Sequence, residues 1–220
     1  LSEAWKNYDL KTLEMVTYGT EPMPETTLKR FNQALPHVKL LQTYGLLEMG
    51  ILRSKSKSND SLWLKIGGEG FETRVIDSLL EIKAQSAMLG YLNAPSPFTV
   101  DRWFQTGDEV EVDGDWIKIL GRRSEIINVG GEKVYPAEVE GVLQEMQGVA
   151  DTSVHGEKNV ITGMIVVAII HLTTKEPHNE FRKRMLEHCH GRLLPFQIPV
   201  RITITEQVLH GKRFKKMRKA

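Results

Sequence analysis

Long apolar runs, cysteine pairs and net charge are all scarce in this sequence, and each scarcity removes a class of function. The longest apolar stretch, Met164–Ile170, is far short of the roughly 20 residues that a membrane-crossing helix needs. The opening residues also lack the layout of a secretory signal, so a cytoplasmic protein with no membrane span is expected. The single cysteine, Cys189, has no partner for an internal disulfide, and neither it nor the seven histidines stand at metal-ligand spacing. A reducing compartment is expected, and a zinc site is not. The 29 basic residues against 28 acidic ones leave a net charge of +1, too little to draw the whole chain onto nucleic acid. Charge is concentrated only at the end, where Lys212, Arg213, Lys215, Lys216, Arg218 and Lys219 follow Gly211 with no acid among them. Such a tail is either a solvated end or a functional one.

Within 220 residues and 40% hydrophobic content there is room for one large domain or two small ones. Leu13–Tyr18 reads as a strand stopped by Gly19, Pro22 and Pro24. Pro24, then Leu28, Phe31 and Leu35, give a helix with one apolar face that Pro36 ends, and Val38–Leu41 reads as a second strand. Strand, helix, strand predicts a parallel α/β unit, whose ligands sit beyond the strand ends. Short alternating segments follow, Leu62–Ile66, Phe71–Ile76, Leu79–Ala84 and Trp116–Leu120, separated by turn residues in the manner of antiparallel hairpins. The run Ser54–Ser61 reads as an exposed flexible loop. After Gly121 come a strand near Ile126–Val129, a turn at Gly130-Gly131, a helix started by Pro136, strands near Thr152 and at Met164–His171, a helix from Asn179 and a strand near Val200–Ile204. That pattern predicts a small α+β domain.

Three segments carry chemistry. Tyr44-Gly45-Leu46-Leu47-Glu48 follows a strand end, and offers an aromatic face for a base and a carboxylate that could hold Mg²⁺ beside phosphates. Trp103-Phe104-Gln105-Thr106-Gly107-Asp108 ends in a carboxylate on a tight turn, suited to a ribose diol; a plain turn with Asp at its corner is the alternative. Gly121-Arg122-Arg123-Ser124 leads through a basic turn to Gly130-Gly131-Glu132-Lys133-Val134-Tyr135-Pro136 and a helix.

Together with Leu194-Pro195-Phe196-Gln197-Ile198-Pro199 and Gly211-Lys212, these segments resemble, in order, the adenylate-forming superfamily of acyl-CoA synthetases, luciferases and peptide-synthetase adenylation domains. The Gly130–Pro136 version is most similar to the acyl-CoA synthetases. The resemblance implies a fold of class α/β plus α+β. Residues 1–123 would be the end of a large adenylation domain, with a parallel α/β unit at 1–52 and an antiparallel, barrel-like β subdomain at 60–123. Residues 124–220 would be a small mobile lid domain. It implies that Gly19, Thr20 and Glu21 line adenine, that Tyr44 and Gly45 lie against it, that Glu48 serves Mg²⁺, and that Asp108 and Arg122 meet the ribose. Ser124 would be the hinge, Gly130 and Gly131 the thiol-transfer loop, and Lys212 the catalytic lysine contacting the acid and the α-phosphate.

The implied reaction makes an acyl-adenylate from ATP and a carboxylic acid, of fatty or aryl type, and passes the acyl group to coenzyme A or to the phosphopantetheine of a carrier protein. The implied ligands are therefore ATP or AMP, Mg²⁺ and one of those thiols. Three residues depart from the pattern: Leu47 where a hydroxyl meets a phosphate, Asn128 in place of Lys, and His210 before Gly211-Lys212. No stretch has the composition of the family's Ser/Thr/Gly-rich phosphate loop, which is expected to lie before Leu1 in an amino-terminal part of the same enzyme; the chain alone is then expected to be inactive. The alternative reading is a non-catalytic relative that binds a nucleotide or a partner through the same fold.

Overall fold

Pro24, at φ −61°, ends an extended segment and opens a helix. In the computed structural model, which describes residues 4–210 and 216, strand β1 (Met15–Tyr18) precedes it and helix α1 (Glu25–Ala34) follows. Leu35 closes the helix by donating its N–H to the Phe31 carbonyl at 2.9 Å. Strand β2 (Lys39–Gln42) then pairs with β1 in parallel, from Met15 beside Lys39 to Tyr18 beside Gln42. Leu28, Leu35, Val38 and Leu40 are the buried centre of this layer. The expected strand–helix–strand unit is what forms.

The chain divides into two compact units, one ending at Ser124 and the other beginning at Glu125. In the first, a seven-stranded antiparallel sheet follows the parallel pair. Its strands are β3 (Tyr44–Leu46), β4 (Gly50–Ser56), β5 (Trp63–Gly67), β6 (Phe71–Ile76), β7 (Leu79–Ala84), β8 (Phe104–Asp113) and β9 (Trp116–Arg122), in the spatial order β3-β4-β5-β9-β8-β7-β6. Leu52, Leu64, Leu80, Ile82, Phe104 and Val110 pack one buried cluster from it.

Two local expectations are corrected here. Ser54–Ser61 is not a loop throughout, because Ser54, Lys55 and Ser56 belong to β4 and pair with β5. The polar side chains are what the segment needs: Ser54 Oγ donates to the Gln42 carbonyl at 2.6 Å, Ser56 Oγ accepts from the Gln42 N–H at 2.9 Å, and Asn59 bonds both Leu40 N and Val38 O at 2.9 Å. They satisfy backbone groups of β2 that would otherwise lack partners. Asp108 likewise is not on a tight turn. It lies inside β8, where the pairing with β9 shifts by a residue between Glu109 and Val110, and Gly107 takes φ +75°, a conformation that favours glycine.

The second unit holds β10 (Ile127–Val129), β11 (Glu132–Val134), α2 (Pro136–Gln144), β12 (Val149–Asn159), β13 (Gly163–Leu172), α3 (His178–Cys189) and β14 (Arg201–Thr205). The sheet order is β11-β10-β13-β12, with β14 parallel to β13. Val139 and Leu143 of α2 and Phe181, Met185 and Cys189 of α3 join Val154, Val166, Ala168 and Ile170 of the sheet in one core. Burial pushes the Cys189 thiol up to about 11, which makes it a packing group rather than a nucleophile. Among the described residues no helix is long and apolar enough to cross a membrane.

A buried charge crosses this core. Glu140 of α2, with its side chain 2% exposed, accepts from Val154 N at 2.9 Å and from Lys216 Nζ at 3.0 Å; Lys216 also donates to the Thr152 carbonyl at 2.9 Å. Removing one partner of such a pair leaves the other charge buried, at a cost of about 3 to 5 kcal/mol. Glu140→Ala is therefore expected to lower the unfolding free energy of this unit by about 3 kcal/mol or more, measured by urea denaturation.

Candidate functional site

The carboxyl ends of the parallel pair are joined by hydrogen bonds that leave no room for a side chain at Gly19. Thr43 N donates to Tyr18 O at 2.7 Å, and a Cβ on Gly19 would stand 2.6 Å from Thr43 Oγ1 and 2.7 Å from its carbonyl oxygen. Thr20 follows with φ +72°, in the left-handed region that a β-branched residue seldom enters. Glu21 comes next, half-buried before α1. Beyond β2, Tyr44 and Gly45 open β3.

Tyr44, Asp108 and Arg122 converge. Tyr44 Oη donates to Asp108 Oδ2 at 2.5 Å, and Arg122 Nε meets Asp108 Oδ1 at 2.8 Å. Asp108 and Arg122 face each other in the β8–β9 register, and Arg122 also donates from a terminal nitrogen to the Thr106 carbonyl at 2.9 Å. Thr106 Oγ1 accepts from Asp108 N at 3.0 Å and donates to Leu80 O at 2.8 Å. The Asp108 residue is 6% exposed. Burial holds its carboxyl above the ordinary range, and the Tyr44 hydrogen bond and then the Arg122 charge oppose that rise. Tyr44 is pushed far up, first by burial and then by the Asp108 charge, so it acts as a fixed donor. The arrangement presents a carboxylate with both oxygens oriented. Beside it, buried Glu109 pairs with Arg123 at 3.5 Å, so adjacent acids of β8 take adjacent arginines, the last residue of β9 and the one after it.

Glu48 lies in the β3–β4 turn, half-exposed, and accepts at 2.5 Å from the hydroxyl of Tyr91. That bond, ahead of desolvation, raises the Tyr91 phenol above its usual range. Among the described residues no three His, Cys, Asp or Glu side chains gather into a metal cluster. One carboxylate without a protein cage fits Mg²⁺ carried on phosphates, and does not fit zinc.

The remaining predicted residues are placed as follows. Ser124 is exposed in a short 3₁₀ turn, Arg123–Glu125. Gly130 and Gly131 form the two-residue turn between β10 and β11, with φ +63° and +97°. Lys212 lies outside the described residues. Leu47, fully exposed, offers no hydroxyl. Sequence reasoning missed Thr106 and Tyr91. Thr106 stood in the quoted Thr106-Gly107-Asp108 triplet, whereas nothing in the spacing marked Tyr91.

Residues 138–215 match the model of the AMP-binding enzyme C-terminal domain. Among curated proteins, a 2-succinylbenzoate–CoA ligase of Listeria monocytogenes is 33% identical over 88% of this chain and 42% of its own length. An indoleacetate–CoA ligase of Aromatoleum aromaticum is 26% identical over 93% of this chain and 43% of its own. The chain thus spans less than half the length of these relatives. Of solved structures, an anthranilate CoA ligase in complex with anthranoyl-AMP shares the fold at a TM-score of 0.79 and 20% identity, over 97% of this chain and 45% of that one. The o-succinylbenzoate CoA synthetase of Bacillus subtilis, in complex with its acyl-adenylate intermediate, gives 0.76 and 20%, over 98% and 47%.

Tyr44→Phe keeps the buried ring and removes the donor to Asp108. A hydrogen bond to a charged group contributes about 1.5 to 3 kcal/mol, and a loss of that size is expected near pH 7. Because the hydroxyl stabilises the ionised carboxylate, the loss should shrink as pH falls through the folded-state range of Asp108, which lies above the ordinary carboxylate value. Thermal unfolding of both proteins from pH 4 to 8 measures the difference; a pH-independent loss would place the effect in packing.

Proposed function

We infer that this chain, which belongs to the adenylate-forming superfamily and carries the AMP-binding C-terminal domain of such enzymes, is part of an ATP-dependent acid:thiol ligase. The observation that carries the reading is the buried Asp108 carboxylate, oriented by Tyr44 and Arg122. A desolvated carboxylate with two fixed oxygens is suited to accept both hydroxyls of a ribose, and water competes poorly for it.

In this reading Asp108 takes the ribose 2′- and 3′-hydroxyls, and Gly19, Thr20, Glu21, Tyr44 and Gly45 bound the adenine. Arg122, after the Tyr44 hydrogen bond, opposes the rise that burial gives the Asp108 carboxyl, and lies beside the same sugar. Glu48 would hold Mg²⁺, which when bound neutralises phosphate charge. The acid's carboxylate oxygen attacks the α-phosphorus, pyrophosphate leaves, and the mixed anhydride forms. The thiol of coenzyme A or of a carrier protein then attacks the acyl carbon and AMP leaves. Ser124 is the hinge between the two half-reactions, and the Gly130-Gly131 turn borders the thiol. The acid is read as fatty or aryl, since the relatives of this chain include ligases of 2-succinylbenzoate, of indoleacetate and of long-chain fatty acids. The chain by itself is read as inactive in adenylation, since no stretch of it has a Ser/Thr/Gly-rich phosphate loop. A reducing, cytoplasmic setting accords with the one buried thiol.

Lys212, by its Gly211-Lys212 context, is assigned to the charge that develops at the α-phosphate. Loss of one preorganised charge-stabilising group costs about 2.7 to 4 kcal/mol, or about 10²- to 10³-fold in rate. Lys212→Ala in the protein carrying this chain is expected to lose acid-dependent pyrophosphate exchange by that factor. Unchanged exchange would remove Lys212 from the mechanism. If even the unaltered protein binds ATP and AMP but shows no exchange with any acid, the non-catalytic reading, to which Leu47 lends support, takes its place.

A further inference from the structure

Glu48 is held by more than its place in a turn. The turn closes through Met49 N to Leu46 O at 3.1 Å, and the segment after β7 is laid onto it by Met88 N to Glu48 O at 2.8 Å and Ser86 Oγ to Met49 O at 3.3 Å. Three residues past Met88, beyond Gly90 at φ +152°, Tyr91 brings its hydroxyl to Glu48 Oε1 at 2.5 Å. The backbone contacts already dock the segment, so the phenol adds something they do not: it fixes a side-chain torsion. Without it, a half-exposed glutamate samples several rotamers, and ordering it falls to whatever binds there. With it, one oxygen is occupied and the other, Oε2, makes no hydrogen bond among the described residues.

Tyr91 is itself 45% exposed, so its hydroxyl and Glu48 meet at the surface rather than in the packed core. The Arg122 charge also reaches this phenol, and slightly opposes the rise that the Glu48 hydrogen bond causes.

We propose that Tyr91 is a positioning residue for the nucleotide-borne divalent cation: its hydroxyl holds Glu48 Oε1 so that Oε2 is presented in one orientation to Mg²⁺. This rests on the assignment of Glu48 as the cation carboxylate in the ligase reading. Partners that orient a ligating carboxylate typically change metal affinity by about 10- to 100-fold when removed. A half-exposed position keeps Tyr91→Phe from disturbing the fold.

The test is calorimetry on the protein carrying this chain, with α,β-methylene-ATP in excess Mg²⁺ and in EDTA, and with AMP in EDTA. In Tyr91→Phe the gain in analogue affinity on adding Mg²⁺ is expected to fall about tenfold, with AMP affinity and the unfolding temperature unchanged. Glu48→Gln is expected to lose the same gain. A Tyr91→Phe protein with the full Mg²⁺ gain overturns the proposal, as does one that loses AMP affinity and thermal stability together, since that marks a structural role. A Glu48→Gln protein that keeps the gain overturns the cation assignment beneath it. If the unaltered protein binds neither AMP nor the analogue, the ligase reading itself fails, an outcome distinct from the first three.

Discussion

A carboxylate taken out of water is the constraint around which the first unit is arranged. Asp108 is 6% exposed, and an ionised group so placed is tolerated only when its oxygens are bonded. Tyr44 and Arg122 supply those bonds from two different strands, and each is in turn fixed: Tyr44 by burial of its ring in the sheet core, Arg122 by its register opposite Asp108 and its bond to Thr106 O. Gly107, immediately before Asp108, takes φ +75°, and the pairing of β8 with β9 shifts between Glu109 and Val110. A site built this way is ordered before any ligand arrives, so a ligand does not have to meet the cost of ordering it. The opposing influences on the Asp108 carboxyl express the same balance, with burial raising it and the two donors restraining it.

Elements were legible in the sequence wherever punctuation and periodicity agreed. Pro24 and Pro36 bracket α1, and Pro136 starts α2, because proline fixes φ and lacks an N–H whatever surrounds it. The hairpin of β6 and β7 was equally plain, since Asp77 and Ser78 both take positive φ between two alternating runs. Reading failed where a polar run does tertiary work. Ser54, Ser56 and Asn59 look like solvated loop residues, yet they bond the backbone of β2, and nothing local announces that partner. Asp108 was legible as a residue of interest but not as part of a strand, because Thr-Gly-Asp reads as a turn and only the long pairing with β9 overrides it. Tyr91 could not be found at all from spacing: its partner lies 43 positions away and the two meet only through packing of the segment after β7.

In the second unit the buried group is an ion pair, and its effect is on the chain's end. Lys216 bonds Glu140 and the Thr152 carbonyl with its side chain 8% exposed, and His210 Nδ1 meets Asp151 Oδ2 at 2.9 Å. A run of six cations in the sequence therefore does not act as one solvated tail. At least one of them is an internal counter-charge, and composition could not separate it from its neighbours, because a lysine in a basic run looks the same whether it is dissolved or buried.

The departure at Asn128 has a comparable local explanation. Where the resemblance leads one to expect lysine, asparagine supplies something lysine lacks, an acceptor: Asn128 Oδ1 takes the Gly131 N–H at 2.9 Å. From the other side Gly130 N donates to Thr162 O at 2.8 Å. Two glycines in succession would otherwise make the most pliable turn a chain can have, since each loses more conformational freedom on ordering than any other residue. Bonding both of their N–H groups to fixed acceptors sets the turn in one shape. At position 128 a side-chain acceptor that fixes the turn thus stands in place of a charge.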